Sequence, residues 1–171
     1  MKLRYSIALS LPLMSASAMA AELALKLEIP QLNVAEYHRP YVAVWLESPD
    51  QKVLSNLAVL YDVKKKENGG AKYLKDMRQW WRKSGRDVAM PLDGVSGATR
   101  APGEHTLTFP GAKAALDKLP AGEYQVVVEA VREAGGRELL RLPIQWPPKS
   151  NQSIPARGKE ELAAVAVQLK P

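Results

Sequence analysis

From Glu22 to Ile29 the chain alternates without a break. Leu23, Leu25, Leu27 and Ile29 fall on one side, Glu22, Lys26 and Glu28 on the other. A strict period of two cannot serve a helix. It predicts a strand with one face on a core and one in water, ended by Pro30. The same logic runs down most of the chain. Tyr41 to Glu47 is almost continuously apolar, which predicts a central strand, and Ser48-Pro49-Asp50-Gln51 closes it as a turn. Val53–Val63, Glu104–Phe109, Tyr124–Glu133, Arg137–Trp146 and Leu162–Leu169 read as further strands. Ala134-Gly135-Gly136 turns one hairpin, and Pro147 to Arg157 reads as a loop.

Only one stretch changes period. From Ala71, Leu74, Met77 and Trp81 recur at three and four residues while Lys72, Lys75, Arg78, Arg82 and Lys83 project elsewhere. This predicts a short amphipathic helix stopped by Ser84-Gly85. Trp80 and Trp81 are neighbours, about 100° apart on a helix, so one of them is left for a groove. Leu119-Pro120-Ala121-Gly122-Glu123-Tyr124 resembles the tyrosine corner of Greek-key sandwiches. Hairpins without a βαβ rhythm predict an all-β, immunoglobulin-like antiparallel β-sandwich with one short amphipathic helix inserted.

Residues 1–20 read as an export signal. Lys2 and Arg4 precede an apolar run from Tyr5 to Met14, and Ala18-Met19-Ala20 gives a small-x-small cleavage site. The expectation is a periplasmic protein made of one domain, residues 21–171. The chain has no cysteine, which rules out disulfides, a CxxC redox pair, an iron–sulfur cluster and c-type haem. Any redox role needs an imported cofactor. Nine basic residues stand against Glu67 and Asp76 between Lys64 and Arg86. Nucleic acid is not the partner expected of an exported protein. An anionic protein, a membrane surface or a solvated helix face are the readings left open.

Asp93-Gly94-Val95-Ser96-Gly97-Ala98-Thr99 is the run with the most specific chemistry. Small residues beside Thr99 leave its hydroxyl unhindered, and the glycines permit a tight path. By itself this also describes an ordinary surface loop whose Asp, Ser and Thr bond local backbone. The run resembles the motif at which an exported FAD:protein FMN transferase joins FMN through its phosphate to a threonine. That motif marks flavin-carrying subunits of sodium-pumping quinone reductases and Rnf-type complexes. The resemblance implies that Thr99 is a covalent FMN acceptor, with Asp93 and Gly97 recognised by the transferase and Ser96 counted among the cofactor-site residues. It further implies that Trp80, Trp81 or Tyr73 covers the ring and that Arg100 or Lys83 offsets phosphate charge. The motif ordinarily sits in a differently folded FMN-binding domain, and here Arg100-Ala101-Pro102-Gly103 runs straight on into a strand.

A wider resemblance rests on Trp80-Trp81, Asp93 to Arg100, Pro102-Gly103-Glu104-His105-Thr106 and Ala121-Gly122-Glu123-Tyr124. In that spacing the chain is similar to a family of predicted periplasmic proteins of unknown function, encoded near PepSY-type membrane proteins and flavin transferases. The partners so implied are the transferase and a PepSY-type reductase. Its Gly-Glu-Tyr end is also similar, in fold only, to the module of flagellar hook-capping proteins. The expected role is a redox carrier or a binding module, not a catalyst. His38 and His105 lack metal-type spacing, and Gly94-Val95-Ser96-Gly97-Ala98 falls short of a nucleophile elbow.

Overall fold

The computed structural model describes residues 21–171; the export signal read at residues 1–20 lies outside them. Two sheets face each other. One has the order β5-β1-β9-β8, built from β1 (Glu22–Ile29), β5 (Gly103–Thr108), β8 (Gln152–Arg157) and β9 (Ala164–Lys170). The other has the order β4-β3-β2-β6-β7, built from β2 (Tyr41–Glu47), β3 (Val53–Tyr61), β4 (Ser96–Ala98), β6 (Gly122–Val131) and β7 (Arg137–Trp146). This is the all-β sandwich that the alternation predicts. Leu25 lies in register with Leu107 on one side and Val167 on the other, so the leucine stripe of β1 enters the core intact.

The apolar run of β2 has a reason beyond central position: it is buried on both faces. Val42, Val44 and Leu46 point into the inter-sheet core, whereas Ala43 and Trp45 join a second cluster on the outer face of the larger sheet. Val59, Tyr61 and Val127 complete that outer face, and Leu74, Met77 and Trp80 cover it. The inserted segment is therefore a third layer. Its residues Lys66–Asp76 form 3₁₀ turns, and only Arg78–Lys83 is α-helical (α1).

That differs from the single helix expected over Ala71 to Lys83. Leu74 in the 3₁₀ turns, Met77 at the junction and Trp80 in α1 together lie against the sheet face. Trp80 is consequently the fully buried tryptophan and Trp81 the half-buried one, the reverse of the predicted stripe. A second difference is β8, read as loop because of its proline. It is an edge strand pairing only with β9, with Ile154 and Ala156 turned toward the core and Pro155 outward; an edge strand, with one side of its backbone unpaired, is where a sheet admits proline. The connection after β5 holds one further helical turn, α2 (Lys113–Asp117).

The tyrosine corner is formed: the Tyr124 hydroxyl donates to the Pro120 carbonyl at 2.8 Å. Tyr124→Phe is expected to lower stability by about 0.5–1.5 kcal/mol, the net worth of one such bond, in a urea titration with unchanged slope. No helix among the described residues is long and apolar enough to cross a membrane.

Candidate functional site

The Asp93–Thr99 run begins as a turn and ends as a strand. The N–H groups of Val95 and Ser96 donate to the Leu92 carbonyl at 3.2 and 2.9 Å, and the Ser96 hydroxyl accepts from the Leu92 N–H at 2.9 Å. Ser96 is thus committed to closing the turn. Gly94 sits at φ +65, and its backbone lies directly on Gly111, so that a Cβ there would stand 2.7 Å from the Gly111 Cα. Gly94→Ala is expected to destabilise by more than about 1 kcal/mol, because positive φ and a backbone clash act together; a drop in melting temperature measures it.

Residues Ser96–Ala98 then form β4, paired in parallel with Val59–Tyr61 at the edge of the larger sheet. The ladder continues to the next residue: the Thr99 N–H donates to the Tyr61 carbonyl at 3.2 Å. One glycine and one alanine among its three residues hide a strand whose pairing is carried by backbone alone. Asp93 and Arg100 are exposed, Gly97 is half-buried against Leu60, and Thr99 is half-buried.

Thr99 opens onto a cleft of about 390 Å³. Its walls come from separate parts of the chain: Tyr37 to Tyr41 before and within β2, Asp62 and Lys65 after β3, Tyr73 and Asp76 of the insertion, and Val131 to Glu133 at the end of β6. Tyr41 is fixed by its hydroxyl donating to the Gly70 carbonyl at 3.2 Å and by an edge-on contact with Tyr61, centroids 6.2 Å apart. Tyr73 is 40% exposed, and the Lys65 ammonium lies 4.7 Å from its ring centroid. At an exposed site such a pair is worth only about 0.5–1 kcal/mol, so it yields readily to a competing partner.

The far wall is rigid. Arg132 and Glu161, both buried, pair through two hydrogen bonds of 2.9 and 3.2 Å, and Glu161 also accepts from the Gly136 N–H at 2.7 Å. Beside them the Tyr37 hydroxyl is buried and bonds to no other group of the described residues. Burial pushes the Tyr37 phenol above its ordinary value, against the opposing pull of Arg132, and burial likewise raises Tyr41. Both therefore stay neutral donors at ordinary pH.

The tryptophans do not join this cleft. Trp80 is fully buried and its indole N–H donates to Asn56 at 2.9 Å, which leaves no ring face for a cofactor. Trp81 tilts against Trp80, centroids 6.3 Å apart, and packs on the outer cluster. Lys83 is spent elsewhere as well. It donates to the fully buried Glu47 at 2.7 Å, at the end of β2 away from Thr99, roughly 20 Å along the strand. Arg100 adjoins Thr99 in sequence without lining the cleft. Of the ring-covering candidates, only Tyr73 reaches it.

Tyr37, Tyr41, Lys65 and Arg132 escape sequence reading because the cleft has no local pattern. The one available signal is Tyr37-His38-Arg39, an aromatic and basic cluster in a connection where chemistry often resides. His38 stands between Glu36 and Glu133 at 3.2 and 3.8 Å, and the His105 Nε2–H donates to the Ala101 carbonyl at 2.7 Å. The remaining cations of the insertion, among them Lys64, Lys66, Lys72, Lys75, Arg78 and Arg82, are exposed on its outer side.

Residues 22–164 match the family described as predicted periplasmic protein (DUF2271). The chain belongs to that family and is periplasmic, as the family is described. No curated protein and no solved structure matches it.

Proposed function

We propose that this member of the periplasmic family is an electron-transfer accessory protein carrying FMN as a phosphoester on Thr99. One observation carries the reading: the Thr99 of a flavinylation-like motif stands, half-exposed, on the rim of a cleft walled by three tyrosines. The cleft volume falls within the roughly 300–1,000 Å³ of small-molecule sites. Its tyrosines suit a planar ring, and Arg39 and Lys65 line it together with Asp62, Asp76 and Glu133. The residues present fit the group.

When bound, FMN supplies one- and two-electron transfer that no side chain of this cysteine-free chain provides. The Thr99 oxygen would form the new P–O bond to the FMN moiety of FAD, AMP leaving and the hydroxyl proton passing to the loading enzyme. Gly97 and Ala98 keep the approach to that oxygen open. Asp93, exposed at the start of the turn, is free to be read by an FAD:protein FMN transferase. A PepSY-type membrane reductase is the proposed electron partner.

The test is intact mass with in-gel flavin fluorescence after co-expression with an exported flavin transferase. A gain of one FMN less water supports the carrier. No gain, with the transferase active on another substrate, leaves instead a non-redox binding module whose insertion and loop dock a partner protein. The exposed cations of the insertion favour an acidic partner in that case.

A further inference from the structure

We infer that the flavin ring is seated in the cleft beside Thr99, with the Tyr37 hydroxyl as its hydrogen-bonding partner and Tyr73 as its outer wall. The inference rests on the Thr99 reading and goes beyond it, since a flavin on a phosphoester could equally hang free in solvent.

Three features argue for a seat. The Tyr37 hydroxyl is a buried polar atom without a bond, while its charged neighbours Arg132 and Glu161 satisfy each other. A buried hydroxyl is ordinarily paired, so an unpaired one lining a concave site marks where a ligand acceptor fits. The pyrimidine edge of an isoalloxazine, with two carbonyl oxygens and one N–H, offers that acceptor. Second, the walls differ in stiffness. Tyr41 is held by Gly70 and Tyr61, whereas Tyr73 is exposed and touched on its ring by an exposed lysine. A flat ring can enter between a fixed tyrosine and a yielding one. Third, the tether is short. A ligand attached at Thr99 meets the cleft at an effective concentration of order mM, so even a cleft with a weak intrinsic affinity of ~0.1 mM stays mostly filled.

The experiment uses the full-length flavin-loaded protein and three readouts: intact mass, flavin emission with iodide quenching, and the visible spectrum with its midpoint potential. Wild type, Tyr73→Leu and Tyr37→Phe are compared. All three are expected to carry the FMN mass. In wild type the tyrosines quench the ring and iodide reaches it poorly; Tyr73→Leu is expected to brighten emission severalfold and admit iodide. Tyr37→Phe, which removes one oxygen and nothing else, is expected to shift the visible band and lower the midpoint potential, as loss of a donor to the reducible ring requires. A wild-type flavin that is bright, iodide-accessible and indifferent to both substitutions overturns the seat while the Thr99 reading stands. Absence of the FMN mass from wild type overturns the Thr99 reading, and the seat with it.

Discussion

Thr99→Ala is expected to abolish covalent flavin, removing the whole mass gain of one FMN less water, whereas Thr99→Ser keeps it. The contrast follows from chemistry. Alanine lacks the oxygen that carries the phosphoester, and serine retains it with less crowding. Ser96→Ala is the companion variant. Ser96 is the nearest other hydroxyl in the motif, but its oxygen already accepts from the Leu92 N–H. Its loss should loosen the turn and leave an FMN mass in place. Stability separates a chemical effect from a folding one. What holds Thr99 is its backbone N–H on Tyr61, which alanine preserves, so the melting curve of Thr99→Ala should stay within about 0.5 kcal/mol of wild type.

The largest structural effect is expected at Glu129. This carboxylate is fully buried on the outer face of the larger sheet, where it accepts from the Trp80 N–H at 2.7 Å, the Gln79 N–H at 3.1 Å and the Arg137 guanidinium at 2.6 Å. The first two belong to the opening turn of α1, whose N–H groups have no partner within the helix. Glu129 is thus a cap supplied from a strand of the sandwich. Glu129→Ala strands the buried Trp80 N–H, while Arg137, partly exposed, turns to water; the expected cost is about 1–3 kcal/mol for each N–H left without its acceptor. A urea titration should show it. A reduced slope would indicate that the insertion has already left the sheet in the native state, because less surface then remains to be exposed. Cleft and cap are connected through the same segment, which carries Lys65 and Tyr73 as well as Trp80. Glu129→Ala in flavin-loaded protein should therefore also raise flavin emission.

Strand positions were legible wherever a side-chain period exists. Leu23 to Ile29 and Val165 to Leu169 announce their inward faces, and the Leu119–Tyr124 corner announces a bend. Legibility failed where backbone, not side chains, does the pairing. β4 is held by a ladder to which Gly97 contributes no side chain, and β8 tolerates Pro155 only because its outer edge is free. The insertion misled in a third way. A stripe spaced by three and four fits an α-helix on paper, but 3₁₀ turns up to Asp76 shift the phase at which α1 begins, so that Trp80 and not Trp81 meets the sheet. As for the site, the motif itself stands out locally. The cleft does not, since Tyr37, Tyr73 and Arg132 come together only when three distant connections meet at one end of the larger sheet.

The strand that leads into the proposed acceptor Thr99 has a further meaning. β4 is three residues long, lies at a sheet margin, and sends no side chain of Ser96–Ala98 into either apolar cluster. Detaching it breaks a few backbone bonds and uncovers little beyond the side of Leu60, so it belongs to the low-energy end of local opening. A visiting enzyme can lift this strip as an extended peptide, bind it by main-chain addition, and let it fall back along β3. Under the proposed flavin loading, modification would follow folding and export, with the finished sandwich serving as the substrate.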